Sequence, residues 1–175
     1  VTIWADGDSL QAEVRRLICR RANREAEVAA SEGRSARFTA VFVAARMPPL
    51  DLGPGVEAEL VDAASGEGAG LREGAADDRI AQRASAGDLA VTRDLPLVER
   101  LAGKGLRVLN DRGEVFTVDN ARERRSLRDR AVELRSLGLA PESPRRSSWG
   151  PHEFKAFADA LDREIALAVK ASRPG

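Results

Sequence analysis

Val1-Thr2-Ile3-Trp4-Ala5-Asp6-Gly7-Asp8-Ser9-Leu10 is the stretch on which the reading of this chain turns. An apolar run long enough for a buried strand stops at two carboxylates separated by one glycine. In an open α/β sheet, ligands bind in the crevice at the carboxyl ends of the strands, so acids at this point are candidates for chemistry. Gly7 lets the backbone turn tightly and come close to a bound group. A structural role competes for Asp8: Asp8 or Ser9 is a favoured helix N-cap, and Gln11 follows Asp8 by three residues as in a capping box. That role leaves Asp6 unexplained.

Beyond this stretch the apolar pattern alternates between helical and strand periods. Leu10, Val14, Leu17, Ile18 and Ala22 recur at helical spacing, and Phe38 to Ala44 is a second apolar strand bounded by Met47-Pro48-Pro49. Val56 to Val61 alternates as a half-buried or edge strand does, and the glycine-rich stretch from Ala64 to Gly74 reads as a mobile loop. Asp77 is the expected N-cap of a short helix carrying Ile80, Ala81 and Ala84. Leu89-Ala90-Val91-Thr92-Arg93-Asp94 then repeats the opening theme of a buried strand followed by an acid. A helix with Val98, Leu101 and Ala102 follows and stops at Gly103 and Gly105. Leu106 to Leu109 and Val115 to Thr117 are two further short strands joined by the turn Asn110-Asp111-Arg112-Gly113. Asp119 can cap a long helix ending at Gly138. Pro151 starts a last amphipathic helix with Phe154, Phe157, Leu161 and Ile165 on one face. The expected fold is α/β, a three-layer α/β/α sandwich with a mostly parallel sheet. Residues 1–138 form the α/β domain; residues 139–175 form a C-terminal loop and helix packed on it or on a partner subunit.

The 175 residues suit one compact unit, and 43% hydrophobic with 32% charged residues is ordinary globular composition. No apolar run approaches the roughly 20 residues of a membrane span, and no charged-then-apolar leader opens the sequence. A single cysteine, Cys19, cannot form an internal disulfide, which fits a cytoplasmic protein. The lone His152 follows a proline near a helix start and reads as surface structure, so acid–base work falls to carboxylates, arginines or water. Net charge is zero but uneven: residues 1–99 hold 12 basic and 17 acidic side chains, residues 100–175 hold 16 and 11. This permits a phosphate-bearing substrate without arguing for one. The basic cluster Arg122, Arg124, Arg125 and Arg128 reads first as a solvated helix face and second as a phosphate contact.

Parallel topology gathers strand ends, so Asp6, Asp8, Asp77 and Asp94 can converge on one edge. Carboxylates gathered without lysine or histidine repel one another, and a divalent cation relieves that repulsion. Oxygen ligands point to Mg²⁺ or Mn²⁺. Such ions activate water and neutralise a phosphate under in-line attack, which makes phosphodiester hydrolysis the natural chemistry.

At these residues the sequence resembles the bacterial YaiI/YqxD family: Ile3 to Asp8, Asp77 before Ile80, Ala86 to Leu97, Leu109 to Glu114, Arg122-Glu123-Arg124, Arg128-Asp129 and Phe154 to Leu161 all match its pattern. The resemblance implies a PIN-like fold, whose relatives are metal-dependent ribonucleases. Carried over by position, Asp6, Asp77 and Asp94 are the catalytic acids; the same three with Asp8 are the metal ligands. Ser9, Thr92, Arg112 and Arg122 are candidates for supporting or substrate contacts, and RNA or another nucleic acid is the implied partner, with a homo-oligomer open. Asp88, at the start of its strand, is structural. The chain departs from the family pattern at Ser9-Leu10-Gln11, at Ala44-Ala45-Arg46 and in the glycine-rich stretch before Asp77.

Two other readings compete. One is a non-catalytic PIN-like RNA-binding or regulatory module, since fold alone does not establish function. The other is a haloacid-dehalogenase-like phosphatase using Asp6 as a covalent nucleophile. The second lacks its phosphate-binding lysine, because Lys104 is the first lysine in the chain.

Overall fold

In the computed structural model the described residues are 1–61, 74–120, 123, 126, 130, 134 and 149–172. They form strands β1 (Thr2–Asp6), β2 (Thr39–Ala44), β3 (Val56–Leu60), β4 (Leu89–Val91), β5 (Arg107–Leu109) and β6 (Val115–Phe116). The helices are α1 (Ala12–Ser31), α2 (Ala75–Arg83), α3 (Leu95–Gly103) and α4 (Pro151–Ala171). The sheet order is β3-β2-β1-β4-β5-β6, parallel except for the antiparallel β5–β6 pair. The chain builds outward from β1 to β2 and β3, then returns to lay β4 on the other side of β1. The crevice between β1 and β4 is therefore the point where strand order reverses, the position at which such sheets bind ligands.

Side-chain alternation along the strands sorts the core into two layers. Ile3, Ala5, Ala40, Phe42, Leu89 and Val91 point to one face and pack with Val14, Leu17, Ile18 and Ala22 of α1 and with Phe157, Leu161 and Ile165 of α4. Trp4, Val41, Val43, Ala90 and Val108 point to the other and pack with Ile80 and Ala81 of α2 and Leu97, Val98 and Leu101 of α3. The result is the expected three-layer sandwich. Both faces are covered, which is why β1, β2 and β4 read as apolar runs; β3, at the edge, keeps only Val56 buried, and its Ala58 and Leu60 are exposed, so its alternating sequence does not sort into a buried and a solvent face.

The β2–β3 connection departs from the simple alternation of strand and helix. Residues 45–55 carry no helix, because Pro48, Pro49 and Pro54 interrupt any helical run. They are strapped to α1 instead: buried Asn23 accepts from the Gly55 N–H at 3.1 Å and donates to the Asp51 carbonyl at 3.1 Å. Gly55 lies so close to α1 that a Cβ there would sit 2.1 Å from the Ala22 carbonyl oxygen.

At the amino ends of the strands, Asp88 accepts from the Thr2 N–H (2.9 Å) and from Trp4 Nε1 (3.0 Å), tying β4 to β1 far from the carboxyl-end crevice. This is the structural role expected of it. The glycine-rich loop and nearly all of the helix expected between Asp119 and Gly138 lie outside the described residues. Among the described residues no helix is long and apolar enough to cross a membrane.

Leu161 is fully buried between α4 and the sheet. Leu161→Ala is expected to lower stability by about 2–5 kcal/mol in urea unfolding, within a single cooperative transition. Two separated transitions would show that α4 folds apart from residues 1–138.

Candidate active site at the β1–β4 crevice

The register of β1 against β4 assembles the centre of the site. Ala5 pairs with Val91, so the next residue of each strand, Asp6 and Thr92, meet at the carboxyl edge. Both are buried, at 3% and 1% exposure. Thr92 Oγ1 donates to Asp6 Oδ2 at 2.8 Å and accepts from the Asp94 N–H at 3.0 Å. Asp6 Oδ1 accepts from the Ser9 N–H at 3.3 Å. Asp94 caps α3 by accepting from the Leu97 N–H at 2.7 Å, with Pro96 in the first turn. One hydroxyl thus links the Asp6 carboxylate at the end of β1 to the backbone of Asp94 at the start of α3. The tight turn out of β1 is fixed by the Gly7 N–H bonding to the Val43 carbonyl at 2.8 Å, where a Cβ would press on Ala44 at 3.0 Å.

Asp77 faces this pair from α2. Burial first, then the charges of Asp6 and Asp94, push its carboxyl up from 3.8 to about 6, and Arg100 only partly opposes them. Asp77 does not cap its helix as the sequence suggested. The N-cap is Gly74 at φ 93°, and Ala75-Ala76, both good helix formers, extend the helix backwards so that Asp77 falls inside its first turn. There its charge still lies at the positive end of a helix.

Asp8 is turned elsewhere. It is exposed, and its carboxylate accepts from the Ala45 N–H (2.7 Å) and the Arg46 N–H (3.2 Å), fastening the exit of β2. The capping role weighed for it, and for Ser9, is also absent, because α1 starts at Ala12 behind Gln11 with no side-chain cap. Ser9 instead accepts from the Arg93 N–H through its hydroxyl at 3.3 Å. Arg112 leans towards the start of α4, with Nη1 3.9 Å from Glu153. Arg122 lies outside the described residues. Cys19 is fully buried, and burial pushes its thiol pKa up, away from nucleophile chemistry. Among the described residues no group of three or more His, Cys, Asp or Glu side chains is placed to hold a metal ion. The structure therefore brings Asp6, Asp77 and Asp94 into electrostatic reach of one another, with Asp6 and Asp94 bonded to Ser9, Thr92 and Leu97.

Sequence reasoning passed over one part of this edge. Asp111, just beyond β5, is buried and accepts from Gln11 Nε2 at 3.2 Å, and Arg93 Nε lies 3.3 Å from the same oxygen. The signal was present: Leu109-Asn110-Asp111 repeats the strand-then-acid theme of β1 and β4, but the turn residues around it gave a sufficient local explanation.

A sequence profile described as "Uncharacterized BCR, YaiI/YqxD family" matches residues 4–167. A "UPF0178 protein" of Treponema pallidum is 40% identical over 99% of this chain and 86% of its own length. Another from Myxococcus xanthus is 39% identical over 96% of both chains. No solved structure matches significantly.

A carboxyl whose folded pKa lies above its unfolded value favours folding most while protonated, and that contribution is lost as pH rises through about 6. Asp77→Asn removes the repulsion. Urea unfolding is expected to show the variant more stable than wild type by about 1 kcal/mol at neutral pH, allowing for solvent screening, with the gain vanishing below the unfolded carboxyl range.

Proposed function

The chain belongs to the YaiI/YqxD family, and from that premise we propose that it is a divalent-metal-dependent nuclease hydrolysing phosphodiester bonds, with RNA as its substrate. The observation that supports this reading best is the Asp6–Thr92–Asp94 unit at the β1–β4 crevice, faced by Asp77 with its raised pKa. Two of these acids sit at helix amino ends, and all three lie where the strand order reverses.

The donor set suits a hard cation: carboxylate oxygens, with no histidine or lysine among them. As they stand, no three of the described acids are set to share an ion; Asp6, Asp77 and Asp94 would have to turn towards one another to hold Mg²⁺ or Mn²⁺, and Asp8 would have to leave Ala45 and Arg46 to join them. The ion, when bound, supplies an activated water and neutralises charge on the phosphate. The protein's own part is to keep three carboxylates near one another at close to neutral pH. Thr92 does this by holding Asp6 in its buried position and orienting the start of α3, so that Asp94 stays at the crevice. The raised pKa of Asp77 comes first from burial and then from the charges of Asp6 and Asp94, and a cation would relieve both.

A non-catalytic RNA-binding reading has an observation in its favour. Asp6, Asp8 and Asp94 all accept hydrogen bonds within the protein, as purely structural acids do. Cleavage of labelled single-stranded RNA with Mn²⁺ or Mg²⁺ decides between the two. Wild type is expected to cut, and Asp6→Asn and Asp94→Asn each to lose at least about a hundredfold. Asparagine is as good an N-cap as aspartate, so loss in Asp94→Asn would report on the charge and not on the helix. Equal rates in all three proteins would reject a nuclease at this site.

A further inference from the structure

Arg93 lies between Thr92 and Asp94 and takes no part in the proposed metal site. Three contacts position it. Its backbone N–H donates to Ser9 Oγ, its Nη1 reaches the Ser9 carbonyl at 3.5 Å, and its Nε stands 3.3 Å from Asp111 Oδ2. The Asp111 side chain is 8% exposed and has a second, neutral partner in Gln11, whereas the arginine side chain is 47% exposed. Its Nη2 has no protein partner among the described residues. An exposed arginine serving only as an ion-pair partner adds little to stability, about 0–1 kcal/mol. Here the guanidinium is held on one side by a buried acid and presents its remaining N–H groups to solvent at the crevice.

Its place in the layers gives that edge a purpose. Thr92 continues the strand face covered by α2 and α3, on the side from which Asp77 faces Asp6 and Asp94; Arg93, the next residue, turns to the α1 side, where Ser9, Gln11 and Asp111 lie. A small phosphoester held at the acids would leave Arg93 unused. A polynucleotide strand laid across the sheet edge, from the α2–α3 layer to the α1 layer, brings a neighbouring phosphate to it. Arginine's planar fork suits a phosphate whose charge is otherwise exposed to an acidic crevice.

We propose that Arg93, fixed by Asp111 and Ser9, contacts a backbone phosphate next to the one at the acids and so selects a polynucleotide strand over a small phosphoester. The proposal deepens the nuclease reading and rests on it for the position of the scissile phosphate.

Binding separates the two claims, because it can be read without cleavage. Fluorescence anisotropy of a short fluorescein-labelled single-stranded oligoribonucleotide, with Ca²⁺ as the divalent cation, gives Kd as a function of salt. Arg93→Gln is expected to weaken binding about tenfold and to lower the slope of log K against log salt by about one; Arg93→Lys, which keeps the charge, is expected to restore the slope. The double variant R93Q/D111N removes the buried charge together with its partner. It should show the same loss as R93Q with a wild-type melting temperature, which excludes misfolding as the cause. An unchanged Kd and slope in R93Q, or no binding by wild type, would overturn the proposal. Arg93-dependent binding without metal-dependent cleavage would reject the nuclease reading alone, and cleavage without Arg93-dependent binding would reject the phosphate contact alone.

Discussion

One buried hydroxyl joins the two halves of this site. Thr92 Oγ1 donates to Asp6 across 86 residues of sequence and accepts from the Asp94 N–H two residues on. A hydrogen bond to a buried charged group contributes about 1.5–3 kcal/mol, and without it Asp6 would keep, among the described residues, just the longer bond from Ser9. The hydroxyl is useful only because β1 and β4 are parallel neighbours in this register. A slip of one residue would turn Asp6 away from Thr92 and put its charge against the α1 layer. Sheet register, acid burial and the start of α3 therefore depend on one another.

Much of the frame was legible in the sequence. The strands β1, β2 and β4 announce themselves as apolar runs because both of their faces are covered, whereas the alternation of β3 misleads, since at the sheet edge only its Val56 is buried. The acids at strand ends could be recognised for the same reason: a carboxylate directly after a buried run has nowhere to be except the crevice. The β2–β3 strap could not be foreseen in detail, although its three prolines excluded a helix, because its anchor is a buried asparagine that reads like any polar position on α1.

The individual jobs of the acids were less legible. Asp8 and Asp94 are both acids with capping potential, yet Asp94 caps α3 and Asp8 grips the backbone leaving β2, since α1 begins four residues after Asp8 rather than directly behind it. Asp77 lost its expected capping role to Gly74 and gained an environment that no local pattern encodes, because its pKa is raised first by burial and then by charges that come from β1 and from the start of α3. Asp111 was hidden by a turn motif that accounted for it locally, and its pairing with Arg93 emerges only when β5 is placed beside β4.

Under the proposed function, a divalent cation relieves the mutual repulsion of Asp6, Asp77 and Asp94. A crystal soaked in Mn²⁺, with data collected at the manganese absorption edge, tests it most directly. An anomalous peak bounded by these three carboxylates is expected, with at least one of them turned from its present donor on Ser9, Thr92 or Leu97. A map with no peak there, and with all three carboxylates unmoved, would contradict it.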